Sequence, residues 1–589
     1  MAITKVTGAL LGNLSVGTGN VALGDSALDD GSLSGDNNVA IGSAALTANT
    51  TGERNTSVGT SSLTTNTTGS GNSAFGFKSL ENSTTASNNT AFGQDTLRAT
   101  TTGANNVAVG IDALTANTTG TLNVALGVNA LASNVVGNQN TALGYNALYS
   151  STVDGYNTAV GSQSLQLNVS GTSNVAVGYQ SLANNTASGN TALGYSALGA
   201  NTSGNNNTAI GNLALTANTT AANNVAIGDA ALALNTTGAQ NIAIGRFALD
   251  ANTTADYNIA IGYLALSLNT TGTRNVALGG VSSINTTTGY DNTALGYGTL
   301  YANTTGLNNT AVGANALTAN TTASFNVAVG AGAGDAITTG NYNTAIGRSA
   351  LTTLTTNAAN TAVGGSALSA NTAANNTAVG YNSLGANTTG TENTAIGRDA
   401  GGTTTTGSRN TCVGKNARTA STNNDTIVIG YNVSQAGNGF VSMGSGGTTV
   451  YIPLTGSTTS WSATSDERLK KDVTNFNVGL DFINNLNPIT FNWKKKGEVN
   501  STLTSVYEEN SEEFVRGWDD STHVGFLAQD IKEQVDAFNL PSGVKLWQED
   551  NEGIQGVADG ELIPMLVNAV QELSAKNDAL EARIQELEE

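Results

Sequence analysis

Residues 224–241 read NVAIGDAALALNTTGAQN, and this stretch decides the fold. With Asn224 as position one, a run Asn-Val-Ala-Ile-Gly leads to two variable residues and an Ala-Leu pair at positions eight and nine. An Asn-Thr-Thr-Gly turn then precedes the next Asn, at 241. Glycine and the Asn-Thr-Thr-Gly turn both oppose a helix. Within the run, positions two and four share one side and position three faces the other, the period of two that marks a strand.

The stretch is one copy of a repeat. Its Gly recurs at Gly24, Gly42, Gly59, Gly76, Gly93 and Gly110, and continues through Gly245, Gly313 and Gly380 to Gly414. There are 24 units, 20 of the 23 spacings equal 17, and Asn opens every unit from Asn20 to Asn410. Leu holds position nine except in the units of Gly279, Gly330, Gly397 and Gly414. A degenerate unit follows at Thr426–Gly430 (TIVIG), and FVSMG at Phe440–Gly444 reads as a further one. A short fixed period is the signature of stacked coils. The expected architecture is mostly β, a parallel β-solenoid or β-roll of about 24 seventeen-residue coils. The Ala/Ser-Leu pair is expected to form a second strand of each coil, and the Asn column a stacked amide ladder. The small residue at position three implies a close contact, either across a thin coil or against a neighbouring chain. No Pro interrupts the first 452 residues, as a ladder that uses every N–H requires. At about 4.8 Å per coil the rod would be about 115 Å long. One coil buries too little to stand alone, so the rod is expected to gain stability by oligomerising.

Over residues 20–430 the N-(T/V)-A-(I/V/L)-G unit resembles the head repeats of trimeric autotransporter adhesins of the YadA-like kind. That resemblance implies a trimeric, left-handed parallel β-roll. The units of that family are shorter, and the extra NTTG-type turn sets this chain apart. Met1–Leu10 (MAITKVTGAL) lacks a charged region followed by a long apolar one, so no signal peptide is expected, and no C-terminal barrel anchor either.

Composition narrows the function. Only 11% of the residues are charged and the formal net charge is −20, which argues against nucleic-acid binding by phosphate neutralisation. No apolar run reaches the roughly 18 residues of a membrane span, so no membrane insertion is expected. With one His (His523) and one Cys (Cys412), no metal site, disulfide framework or cofactor is expected. Asp25, Asp229 and Asp399 are scattered along the rod with no pairing suited to glycan hydrolysis. The glycine pairs are too frequent for any nucleotide-loop match to carry weight, and the Asn-x-Thr triplets read as turn residues. Cys412, in place of the usual Ala, reads as a small buried residue.

The composition changes near Ser465. Residues 1–464 hold 28 charged residues and residues 465–589 hold 36, and all four Trp and all four Pro lie after residue 450. The reading is a lead-in at 1–19, repeats at 20–430, a degenerate coil and linker at 431–464, and a small α+β domain at 465–589. Within that domain SATSDERLKKDVTN (462–475) reads as a capped helix, with Thr464 and Glu467 fitting a capping box. Residues 497–522 read as a solvated acidic loop. Ile563, Leu566, Val570, Leu573, Asn577, Leu580, Ile584 and Leu587 alternate by three and four, the a/d pattern of a coiled coil over 563–589. β-branched a positions with Leu at d lean toward a dimer, and Asn577 at a fixes register; an amphipathic helix packed on its own domain is the alternative.

The combination of SDERLKKD (465–472), LNP (486–488), FNW (491–493), HVGFLAQ (523–529) and AVQEL (569–573) resembles the endosialidase-type intramolecular chaperone, the self-cleaving C-terminal domain of phage tail spikes and fibres. The resemblance implies a homotrimer, folding assistance to the β-part, and a cut between Thr464 and Ser465. It makes Ser465 the nucleophile, Lys470 its general base, and His523 either a helper in cleavage or a packing residue. A hydroxyl is a weak nucleophile until a neighbour takes its proton, and an amine kept neutral by desolvation or nearby cations can do so; here Arg468 and Lys471 flank Lys470. The function expected is a phage tail fibre or fibre-like adhesin in the virion, recognising a host-surface glycan or protein and joined to another fibre or tail protein near residues 1–19. The alternatives are a bacterial surface adhesin with the same chaperone, or a non-cleaving spacer fibre.

Overall fold

The repeat folds as stacked coils because each coil is too short to satisfy its own backbone. The computed structural model of the chain describes residues 17–153, 155–435, 437–446, 448–453, 462–463, 470–503, 506–515, 522–541, 543–550 and 553–589. Two compact units divide it, Met1–Thr464 and Ser465–Glu589.

In the first unit every repeat contributes one three-residue strand, from Val21–Leu23 to Thr411–Val413, and the degenerate unit contributes Ile427–Tyr431. These 25 strands pair in parallel and in register, so that Val225, Ala226 and Ile227 face Ile242, Ala243 and Ile244 of the next coil. The unit is a β-solenoid of about 25 turns of about 17 residues. Position three is buried at every coil, while positions two and four are never buried. The close contact that keeps position three small is therefore made across the coil itself, against the Ala-Leu pair of positions eight and nine. Where Ser57 replaces that Ala, Ser62 stands opposite and the two hydroxyls bond at 2.5 Å, so the buried polar pair satisfies itself. Cys412 fills the same position, and burial pushes its thiol up to about 12.

The expected second strand is absent among the described residues. Positions seven and nine instead take left-handed backbone, as in Ala230 (φ 53°) and Leu232 (φ 54°), and the pattern repeats along the rod. The segment still ladders, since Leu232 N–H donates to Ala248 O at 3.0 Å. The reason is closure. A coil of 17 residues with a three-residue strand must reverse sharply, and alternating hand does so while keeping Leu232 fully buried.

The opening Asn column forms an amide ladder. Asn224 Oδ1 accepts the backbone N–H of Asn241 at 2.9 Å, and Asn224 Nδ2 donates to Gly238 O at 3.0 Å. A second buried column, at position twelve, reaches the same carbonyl: Asn235 Nδ2 donates to Gly238 O at 2.8 Å and to Asn218 Oδ1 at 3.0 Å. The Thr after it bonds forward as well, Thr236 Oγ1 to Thr253 O at 3.0 Å. Gly at position five has a geometric cause. Gly228 sits at φ 137°, and a Cβ there would lie 2.6 Å from the backbone of Gly245.

The parallel stack ends by reversal. Phe440–Ser445 adds in parallel to Ile427–Tyr431, then Thr448–Pro453 pairs antiparallel to it, and Ser462–Ala463 antiparallel to that.

The second unit is small. Helix α1 (Leu480–Asn484), helix α2 (Ala528–Ala537) and helix α3 (Leu562–Glu588) surround two short hairpins, Ile489–Phe491 with His523–Gly525 and Trp547–Glu549 with Gln555–Val557. Its core is Phe482, Ile531, Leu546, Leu562 and Met565.

Two outcomes follow for the ladder. Asn224→Ala leaves the Asn241 N–H without its acceptor in a buried site, a loss of roughly 1–3 kcal/mol. Hydrogen exchange should then show lost protection confined to the coils around 224–241, since each coil contacts only its neighbours. Gly228→Ala should be more damaging, because strain and collision add, and should open the same coils more completely.

Candidate functional site

The residues expected to carry chemistry begin at the boundary of the two units, with Thr464 closing the first and Ser465 opening the second. Thr464 and Ser465 lie outside the described residues, as do Glu467 and Arg468. Lys470 is exposed in an irregular segment. The capped helix expected from SATSDERLKKDVTN is not present in its described part: residues 470–479 are non-helical, and Asp472 is left-handed at φ 53°. The physical reason lies 90 residues away. Asn568 Nδ2 on α3 donates to the Phe476 and Val478 carbonyls, the latter at 3.2 Å. Glu572, one turn on, accepts the Leu480 N–H at 3.1 Å. These bonds draw the segment along α3 in extended form. Gly479 allows the approach, because a Cβ there would lie 2.3 Å from the Glu572 carboxylate. Asn568 was not singled out by the sequence, and Glu572 entered only as part of the AVQEL motif, with no tether assigned to it; the signal available was a polar pair four residues apart near the start of the helix.

His523 opens its strand and faces Phe491 across the hairpin. Its ring is half-buried and 5.7 Å from that of Phe491, which meets Trp493 edge-on at 5.3 Å. The same hairpin forms one wall of an open groove of about 620 Å³, lined by Ile489, Trp493, Phe526 and Val557 among others. The acidic segment beyond it is held by ion pairs of Lys495 to Glu512 and of Lys496 to Glu508 (3.3 Å) and Glu513 (2.7 Å). Those lysines hold the Glu512 and Glu513 carboxyls below their usual range.

Helix α3 has two faces. Leu562, Met565 and Ala569 are buried in the domain. Ile563, Leu566, Val570, Leu573, Leu580, Ile584 and Leu587 are exposed, from 45% at Leu566 to 79% at Leu587. Asn577, on this stripe, donates to Glu581 at 3.3 Å. The alternative of a helix packed on its own domain thus holds for one face of its first turns only. An isolated helix of the remaining length is marginal in water.

Asn568→Ala should remove the donors to Phe476 and Val478, costing roughly 1–3 kcal/mol locally. Limited trypsinolysis should then cut faster after Lys470 and Lys471, with the rod unaffected.

Comparison with known proteins agrees with this division. No curated protein and no solved structure matches the chain. Residues 465–540 match the family described as chaperone of endosialidase. The chain is a β-solenoid rod followed by an endosialidase-type intramolecular chaperone domain, the plan of a phage tail fibre-like protein.

Proposed function

We propose that this chain is the subunit of a homotrimeric phage tail fibre, whose C-terminal domain assembles the rod and then severs itself between Thr464 and Ser465. The observation that carries the reading is a coincidence of boundaries. The family match starts at Ser465, and the two compact units divide between Thr464 and Ser465.

The chemistry needs only groups of the chain and water. Lys470 takes the proton of the Ser465 hydroxyl, and Oγ attacks the Thr464 carbonyl carbon. As the tetrahedral intermediate collapses, the Thr464–Ser465 C–N bond breaks and the proton passes from Lys470 to the departing Ser465 amine. The Thr464 acyl group is then an ester on Ser465 Oγ. Water hydrolyses that ester, leaving a carboxylate at Thr464 and restoring the hydroxyl. His523, whose ring lies against Phe491, either assists the cut or packs its hairpin. The exposed stripe of α3 supplies an assembly surface that suits copies of itself. In the virion the rod presents Asn- and Thr-rich edges to a glycan or protein of the host surface and joins another fibre or tail protein at its N-terminal end.

The test is a denaturing gel of the purified chain, wild type beside Ser465→Ala. Wild type should give two fragments split at Thr464–Ser465 and the variant a single 59.2 kDa band. Lys470→Ala should also remain whole. A wild type that stays at full length would make the domain a permanent cap and end the peptidase reading.

A further inference from the structure

The solenoid carries a face that its own chain does not cover. Positions two and four of the 25 strands point away from the coil interior, and none is buried. Position four is nonetheless a bulky apolar residue in every strand, from Leu23 to Ile429, and no strand from Val21–Leu23 to Ile427–Tyr431 contains a charged residue, Asn or Gln. Position two is Thr, Val or Ile throughout, apart from Ser73. Charged and amide residues are admitted elsewhere on the coil, for example Asp229, Arg246 and Gln240. Twenty-five repeats of one position sample the residues tolerated there, and the sample is that of an interior. Phe75 and Phe92 even meet along the column, their rings 5.4 Å apart and tilted by 31°, with Phe92 56% exposed.

A third of a Val, Ile or Leu transfer area is roughly 30 Å². The column at position four alone, 25 bulky apolar side chains, then presents roughly 750 Å² of apolar surface, above the few hundred Å² usual on a monomer, and the Val, Ile and Thr methyls of position two add to it. A stable interface takes about 800 Å² per partner. We propose that this strand face is where copies of the same chain pack against one another along the rod. The occupant follows from the geometry. A partner that covers the face must be as long as the rod, must repeat at the same coil spacing, and must offer an uncharged apolar surface throughout. A second copy, related by rotation about an axis parallel to the rod, meets all three requirements. The inference rests on the homotrimer proposed above and adds which surface of the rod mediates it.

The test uses the full chain with Ile244→Cys on the strand face and, separately, Thr237→Cys on the exposed turn edge, each carrying a nitroxide label. Cys412, buried with its thiol pushed up to about 12, stays unlabelled. Pulsed electron resonance then measures distances between copies. The expected result is a short, narrow distance at 244 and a clearly longer one at 237. Equal or reversed distances, or a broad distribution at 244 in a sedimenting trimer, would overturn the strand face as interface while leaving the trimer standing. A monomer by sedimentation would overturn both. Thr208→Cys, at position two of another coil, repeats the reading with a smaller change in case the label at 244 disturbs packing; it should also give the short distance.

Discussion

Everything in the rod depends on one buried amide. The Asn that opens each coil accepts from the backbone of the next Asn and donates to the carbonyl that closes its own turn. That pair of bonds fixes the height and rotation of one coil on another, so the strands stay in register and the Ala column stays aligned. An apolar contact between such thin coils is non-directional and would allow sliding. The amide supplies direction. The second Asn column and the Thr hydroxyls reinforce it.

Much of this was legible because the sequence repeats itself. Twenty-four copies average away local noise, and Asn, Ala and Gly each name a physical need: an amide column, a thin interior, and a backbone too close for a side chain. What was not legible was the second half of the coil. Leu232 is not a residue whose identity signals left-handed backbone, and the expected strand there rested on the apolar character of the pair. Closure of a short coil overrode that local preference. The column at position twelve was read as a turn residue, since a buried Asn and a turn Asn look alike in sequence. At the chaperone domain the motif combination was readable, but the state of residues 470–479 depends on Asn568 and Glu572, far along the chain. Local propensity carries no information about such long-range tethers.

The two units solve opposite problems. The rod is repetitive, low in charge and built of contacts between successive coils; stacking can begin at many places, each equivalent to the next. The C-terminal unit is charged, aperiodic and held by contacts distant in sequence, with α3 projecting an apolar stripe beyond its own core. In the homotrimer proposed above, a nonrepetitive element of this kind would give an otherwise uniform sequence a unique reference point for alignment.

The reversal at Thr448–Pro453 bears on a different property of the molecule. A parallel stack of identical coils is a template: its last strand offers unpaired N–H and C=O groups to whatever strand comes next, including coils of a different molecule. Turning the chain back on that edge with an antiparallel hairpin occupies the template with a strand that does not propagate it. At this end the hairpin behaves as a chain terminator in the polymer sense. The number of coils is then counted out by the gene and not by the supply of subunits, so the rod has a set length where a cross-β fibril would have none.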